Sequence, residues 1–153
     1  MNPDLNVAKQ GNDPKGAAER LGLLIDNITE ALPHAVVLVA KIINVDAKGW
    51  GASPVQKNNT DQYNNLIPEV VQKRAQGKKH VRCVDFSTLP VNDDVYGTRS
   101  ARKSGIHPTD KGYARMGKMW YDYIQQIPGE LIVAPEGELR QENCPPDPSN
   151  GTQ

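Results

Sequence analysis

The segment Lys103-Ser104-Gly105-Ile106-His107-Pro108-Thr109-Asp110-Lys111-Gly112-Tyr113 sets a histidine in a loop directly ahead of an amphipathic helix. An imidazole there is suited to take a proton from a hydroxyl nucleophile and return it to a leaving alcohol, the two proton transfers of acyl transfer. A second polar cluster, Gly11-Asn12-Asp13, follows a short apolar run and precedes another helix. The Asn12 amide is placed to donate to an oxyanion, although Asn-Asp-Pro serves equally as a helix cap or turn. Ser53, Ser87, Ser100 and Ser104 fall in predicted loops, none in a strand-to-helix elbow that would present a nucleophilic hydroxyl. Asp85, Asp93 and Asp94 could lend His107 a carboxylate, yet an aspartate at a strand end more readily caps a turn.

Three helices and three strands are predicted to position these groups. The first helix carries Leu21, Leu24, Ile25, Ile28 and Leu32 at spacings of three and four, and stops at Pro33. The valine-rich run Ala35 to Ala40, continued by Ile42 and Ile43, reads as a central strand. The second helix carries Tyr63, Leu66, Ile67, Val70, Val71 and Ala75; Pro68 is expected to end, kink or begin a helical segment, and Gly77 closes it. His80 to Phe86 is the next strand, and a long loop runs from Ser87 to Pro108. Thr109 caps the third helix, whose stripe is Tyr113, Met116, Trp120, Tyr123 or Ile124, and Ile127, ended by Pro128-Gly129. Leu5 to Ala8 is a weaker strand.

Alternating strands and helices predict an α/β domain with a parallel sheet, because parallel neighbours need long crossovers. Ligands bind beyond the carboxyl ends of such strands, which puts Asn12 and His107 on one edge. Residues 1–130 are read as the domain and 131–153 as a flexible Pro-rich tail.

The 18 basic and 18 acidic residues balance, so no general attraction to nucleic acid or anionic membrane is expected. No apolar run approaches the roughly 20 residues of a membrane span, and Met1-Asn2-Pro3-Asp4 is not a secretory signal. With 37% hydrophobic and 5% aromatic residues, Leu, Ile and Val must supply the core. His34 and His80 fit no metal-ligand spacing, so no metal is expected. Trp50, between Gly49 and Gly51, could stack on a sugar ring or pack on the domain surface. Cys83 and Cys144 leave the redox compartment open, and the sequons at Asn27, Asn58 and Asn150 matter only in a secreted protein.

Five motifs stand in order: Gly11-Asn12-Asp13, Val36-Val37-Leu38-Val39-Ala40, Tyr63-Asn64-Asn65-Leu66-Ile67-Pro68, Val84-Asp85-Phe86, and Gly105-Ile106-His107-Pro108 followed by Gly112-Tyr113-Ala114-Arg115-Met116. Over about residues 3–127 the chain resembles the C-terminal half of a GDSL-type SGNH hydrolase, in particular the secreted acetylxylan-esterase-like carbohydrate esterases. The resemblance implies a three-layer α/β/α flavodoxin-like fold with its N-terminal strands missing. It also implies no metal or organic cofactor, a small-molecule or carbohydrate ester as substrate, and an extracellular location. It makes His107 the base and Asn12 the oxyanion amide. The family pattern has an aspartate three residues before the histidine, where this chain has Ser104, and a glycine two before the asparagine, where it has Gln10. The serine motif has no counterpart, so the chain is expected to start after it and to be inactive alone. Two readings follow: an esterase domain truncated before its nucleophile, or a degenerate relative that binds a ligand or partner without chemistry.

Overall fold

The structure is a computed structural model that describes residues 13–49, 51–77, 79–91 and 105–132. The predicted strand Leu5 to Ala8 and nearly all of the predicted tail lie outside these residues.

Helix α1 (Pro14–Ala31) begins where the Asp13 carboxylate accepts from the Gly16 N–H at 2.7 Å and Pro14 takes the first helical position. Its buried residues are Pro14, Ala17, Ala18, Gly22, Ile25 and Thr29, a stripe rotated from the one the leucines predict. Leu24 and Leu32, expected inside, are 55% and 59% exposed. Small residues cause the rotation, because they let α1 approach its neighbour α2 (Pro54–Gln76). A Cβ at Gly22 would lie 2.5 Å from the Arg74 guanidinium.

Helix α2 starts well ahead of Tyr63. The Ser53 hydroxyl accepts from the Gln56 N–H at 3.1 Å and Pro54 follows it, a polar start that apolar periodicity overlooks because the first turns bury Gln56, Asn59 and Thr60. Pro68 neither ends nor begins the helix, which runs through it. The ring removes only the bond to the Asn64 carbonyl, a local loss that burial of Ile67 and Val71 outweighs. Gly77 ends α2 as predicted.

Strands β1 (Val37–Ala40) and β2 (Val81–Val84) pair in parallel, from Val37 with Val81 to Ala40 with Val84, and α2 is the crossover between them. Both are shorter than predicted, since Phe86–Thr88 winds into a 3₁₀ turn and the backbone after β1 leaves the sheet. Alternation splits their side chains between two cores. Val37, Val39 and Val81 pack with Ala17, Ile25, Tyr63, Ile67 and Val71 of α1 and α2. Leu38, Ala40 and Val84 pack on the other face with Phe86, Leu89 and helix α3 (Asp110–Gln125). The result is the expected α/β/α layering, with valine and isoleucine dominating the core.

Thr109 caps α3 by accepting from the Gly112 N–H at 3.2 Å. Met116, Met119, Trp120 and Tyr123 face the sheet, and Trp120 meets Phe86 edge-on with ring centroids 5.1 Å apart. Tyr123 is the inward member of the predicted pair, while Tyr113 and Ile124 are 53% and 46% exposed. Among the described residues no helix is long and apolar enough to cross a membrane.

Asp26 joins α1 to the far end of α2. It accepts from Arg74 Nε at 3.1 Å and Nη2 at 2.6 Å, and from Lys79 Nζ at 2.5 Å. Hydrogen bonds from Arg74 and then Lys79 hold its pKa below the ordinary value. A depressed folded pKa stabilises the fold above the unfolded value of about 3.9, and that stabilisation is lost as pH falls through the folded value. Asp26→Asn is therefore expected to lower the unfolding free energy at neutral pH by about 0.5–1 kcal/mol, a modest size set by the exposure of the pair. Urea melts of both forms should converge in acid; a difference independent of pH would contradict the assignment.

Candidate active site

The site forms where β1 leaves the sheet. The Lys41 N–H still donates to the Val84 carbonyl at 2.8 Å, but at Ile42 the neighbouring strand is replaced by the side chain of Asn64. Asn64 Oδ1 accepts from the Ile42 N–H at 2.8 Å and Nδ2 donates to the Ile42 carbonyl at 2.7 Å. Further on, Asn44 Nδ2 donates to the Ser87 and Leu89 carbonyls and stitches this loop to the 3₁₀ turn after β2.

The same loop then holds the histidine turn. The Asp46 N–H donates to the Gly105 carbonyl at 2.9 Å. Gly105 has φ of 72°, a left-handed conformation that favours glycine. A Cβ there would meet the Asp46 carbonyl and lie 2.8 Å from Gly49 Cα. Close backbone approach and the positive φ thus both require glycine two residues before His107.

His107 is exposed at a cleft of about 550 Å³ lined by Ile42, Ile43, Phe86, Met116 and Trp120, and among the described residues Lys41 is the other charged or basic side chain lining it. Lys41 Nζ bonds Asp85 Oδ2 at 2.9 Å, and Asp85 Oδ1 accepts from the Ser87 N–H at 3.0 Å and from the Ser87 hydroxyl. Burial alone would raise the Asp85 pKa, but hydrogen bonds from Ser87 and Lys41 outweigh it and keep the carboxylate below its ordinary range. Asp85 therefore caps the turn after β2, and both its oxygens are engaged.

Asn12, Ser104 and Trp50 lie outside the described residues, as do Asp93, Asp94 and Ser100. Ser53 caps α2 and Ser87 donates to Asp85, so neither stands in an elbow. Among the described residues no three His, Cys, Asp or Glu gather as a metal site. Cys83 is a half-buried free thiol whose pKa burial raises. Sequence reasoning assigned no role to Lys41 or to Asn64. Their signals are a lone charge inside an apolar run and an amide on the buried face of a helix.

Two substitutions test this geometry. Gly105→Ala should cost at least about 1–2 kcal/mol from the positive φ alone and speed exchange of the Asp46 amide, read by thermal melts and hydrogen exchange. Lys41→Met should raise the Asp85 carboxyl pKa toward its ordinary value in a carbon-13 NMR titration; an unchanged midpoint would remove Lys41 from the network.

The GDSL-like Lipase/Acylhydrolase family matches residues 5–115. The multidomain esterase of Ruminococcus flavefaciens is 31% identical over 141 residues, which cover 89% of this chain and 16% of that protein. The putative endoglucanase X of Acetivibrio thermocellus is 30% identical over 112 residues, 72% of this chain and 42% of that protein. Among solved structures, the Clostridium thermocellum family 3 carbohydrate esterase matches with a TM-score of 0.56 and 28% identity, over 76% of this chain and 53% of that one. The chain thus spans well under two thirds of the length of each of these relatives. With the family matched across most of its length and the α/β/α layering shared, the chain belongs to the GDSL-like lipase/acylhydrolase family.

Proposed function

We propose that the chain is the base-bearing part of a serine hydrolase of carboxylic esters, acting on esterified carbohydrate or similar small esters. The observation that carries this reading is the placement of His107: its turn is docked through Gly105 at the carboxyl edge of the strands, beside an apolar cleft. The relatives named as esterases support the substrate class.

In this reading His107 takes the proton from a serine hydroxyl as its oxygen bonds the acyl carbon, and gives that proton to the departing alcohol. Water then repeats the sequence and frees the acid. This reading requires a serine hydroxyl supplied to His107 by a segment carrying the family's serine motif, with the Asn12 amide donating to the oxyanion. Ser104 stands where the family pattern has an aspartate, and a serine hydroxyl offers at most a neutral hydrogen bond in place of a carboxylate. Trp50 is the candidate for stacking on a sugar. This reading invokes no metal or organic cofactor, and an extracellular location is part of the proposal, supported by the resemblance to secreted esterases. The second reading, a binding module without chemistry, is favoured by Ser104 and Gln10.

The deciding experiment joins the N-terminal half of the Clostridium thermocellum family 3 carbohydrate esterase to this chain and follows 4-nitrophenyl acetate hydrolysis. The fusion should turn over, and His107→Ala should lower kcat by about 10²–10⁴-fold. Activity indifferent to His107→Ala would overturn the base assignment, and a folded but inert fusion would favour the binding module.

A further inference from the structure

We infer that Asn64 is a positioning residue for His107, acting through the backbone of Ile42 and the segment that follows it. The inference rests on the proposed role of His107, but its evidence is structural. Asn64 projects from α2 between Tyr63 and Ile67, which are 5% and 0% exposed, and is itself 5% exposed. That packing leaves its side chain little freedom.

Its amide presents one acceptor and one donor to the same residue, the pattern a neighbouring strand would offer. Ile42 is held where sheet pairing has ended, and it opens the segment that carries Asn44 to the turn after β2 and Asp46 to Gly105. Val45 and Asp46 within that segment are 3% and 8% exposed, so it is a packed element. The path from Asn64 to His107 is thus a side-chain clamp on the partly buried Ile42 backbone, the chain from there to the buried Asp46, and the Asp46 N–H across to the Gly105 carbonyl. Without Asn64, the Ile42 amide and carbonyl lose their partners and the segment loses its anchor to α2. Asn65, the neighbouring amide, is exposed and cannot substitute.

The test uses the whole chain, isotope-labelled, with no substrate. Asn64→Leu keeps the volume and removes both bonds; protection of the Ile42 and Asp46 amides should fall on the order of tenfold and the His107 ring resonances should move, while amides in the β1–β2 pair keep their protection. Asn64→Asp decides the matter even if Asn64→Leu fails to fold. Ionised, the introduced carboxyl lacks the donor and sets an oxygen against the Ile42 carbonyl; protonated, it restores one acceptor and one donor. Protection and the His107 resonances, each compared with the unsubstituted chain at the same pH, should therefore recover on acidification. If Ile42 loosens while Asp46 and His107 stay as they were, or if acid restores nothing, the positioning role is wrong. Failure of His107 as a base would appear separately, as fusion activity that survives His107→Ala.

Discussion

A parallel strand pair must end somewhere, and where it ends its backbone groups still require partners. Here the pair ends at Ala40 and Val84, and side-chain amides take over: Asn64 for Ile42, then Asn44 for the turn after β2. Each such bond adds only about 1 kcal/mol net, but leaving a buried backbone group unmade costs about 1–3 kcal/mol, so the route of the segment is set mainly by the cost of alternatives. One wall of the cleft follows from that route. Ile42 and Ile43 line it, and the Asp46 N–H donates to the Gly105 carbonyl and so holds the histidine turn.

The two cores serve this edge differently. On one face, α1 and α2 close on the valines of both strands and give Asn64 a rigid base. On the other, α3 reaches the strand ends directly: Trp120 lies against Phe86, and the Tyr123 hydroxyl accepts from the Asp85 N–H at 3.3 Å. The Lys41–Asp85 pair sits between these layers at the cleft, partly buried and tied to Ser87, so its charges are held in a fixed arrangement. The aspartate neutralises the lysine where Lys41 reaches the cleft, whose other described lining residues, apart from His107, are apolar or aromatic.

Local chemistry decided which parts of this were legible in the sequence. Thr109 and Gly77 could be read because capping depends on neighbouring residues alone, and the valine run because strands of a covered sheet are apolar throughout. The start of α2 escaped apolar periodicity because its first turns bury Gln56, Asn59 and Thr60. Leu24 and Leu32 misled because Ala18 and Gly22 set how α1 meets α2, a property of two helices together. His107 could be placed from its motif, whereas the work of Asn64 depends on a partner 22 positions away in sequence. The family pattern marked the asparagine without indicating what it holds.

The central claim is that ester chemistry belongs to the edge where His107, the segment after β1 and α3 converge. The direct measurement is an NMR titration of the whole chain with an acetylated xylo-oligosaccharide. Perturbations centred on Ile42, Ile43, His107, Met116 and Trp120 are the predicted result. Perturbations confined to the groove between α1 and α2 around Gly22, Leu23, Leu66 and Lys73, or none at millimolar ligand, would contradict it.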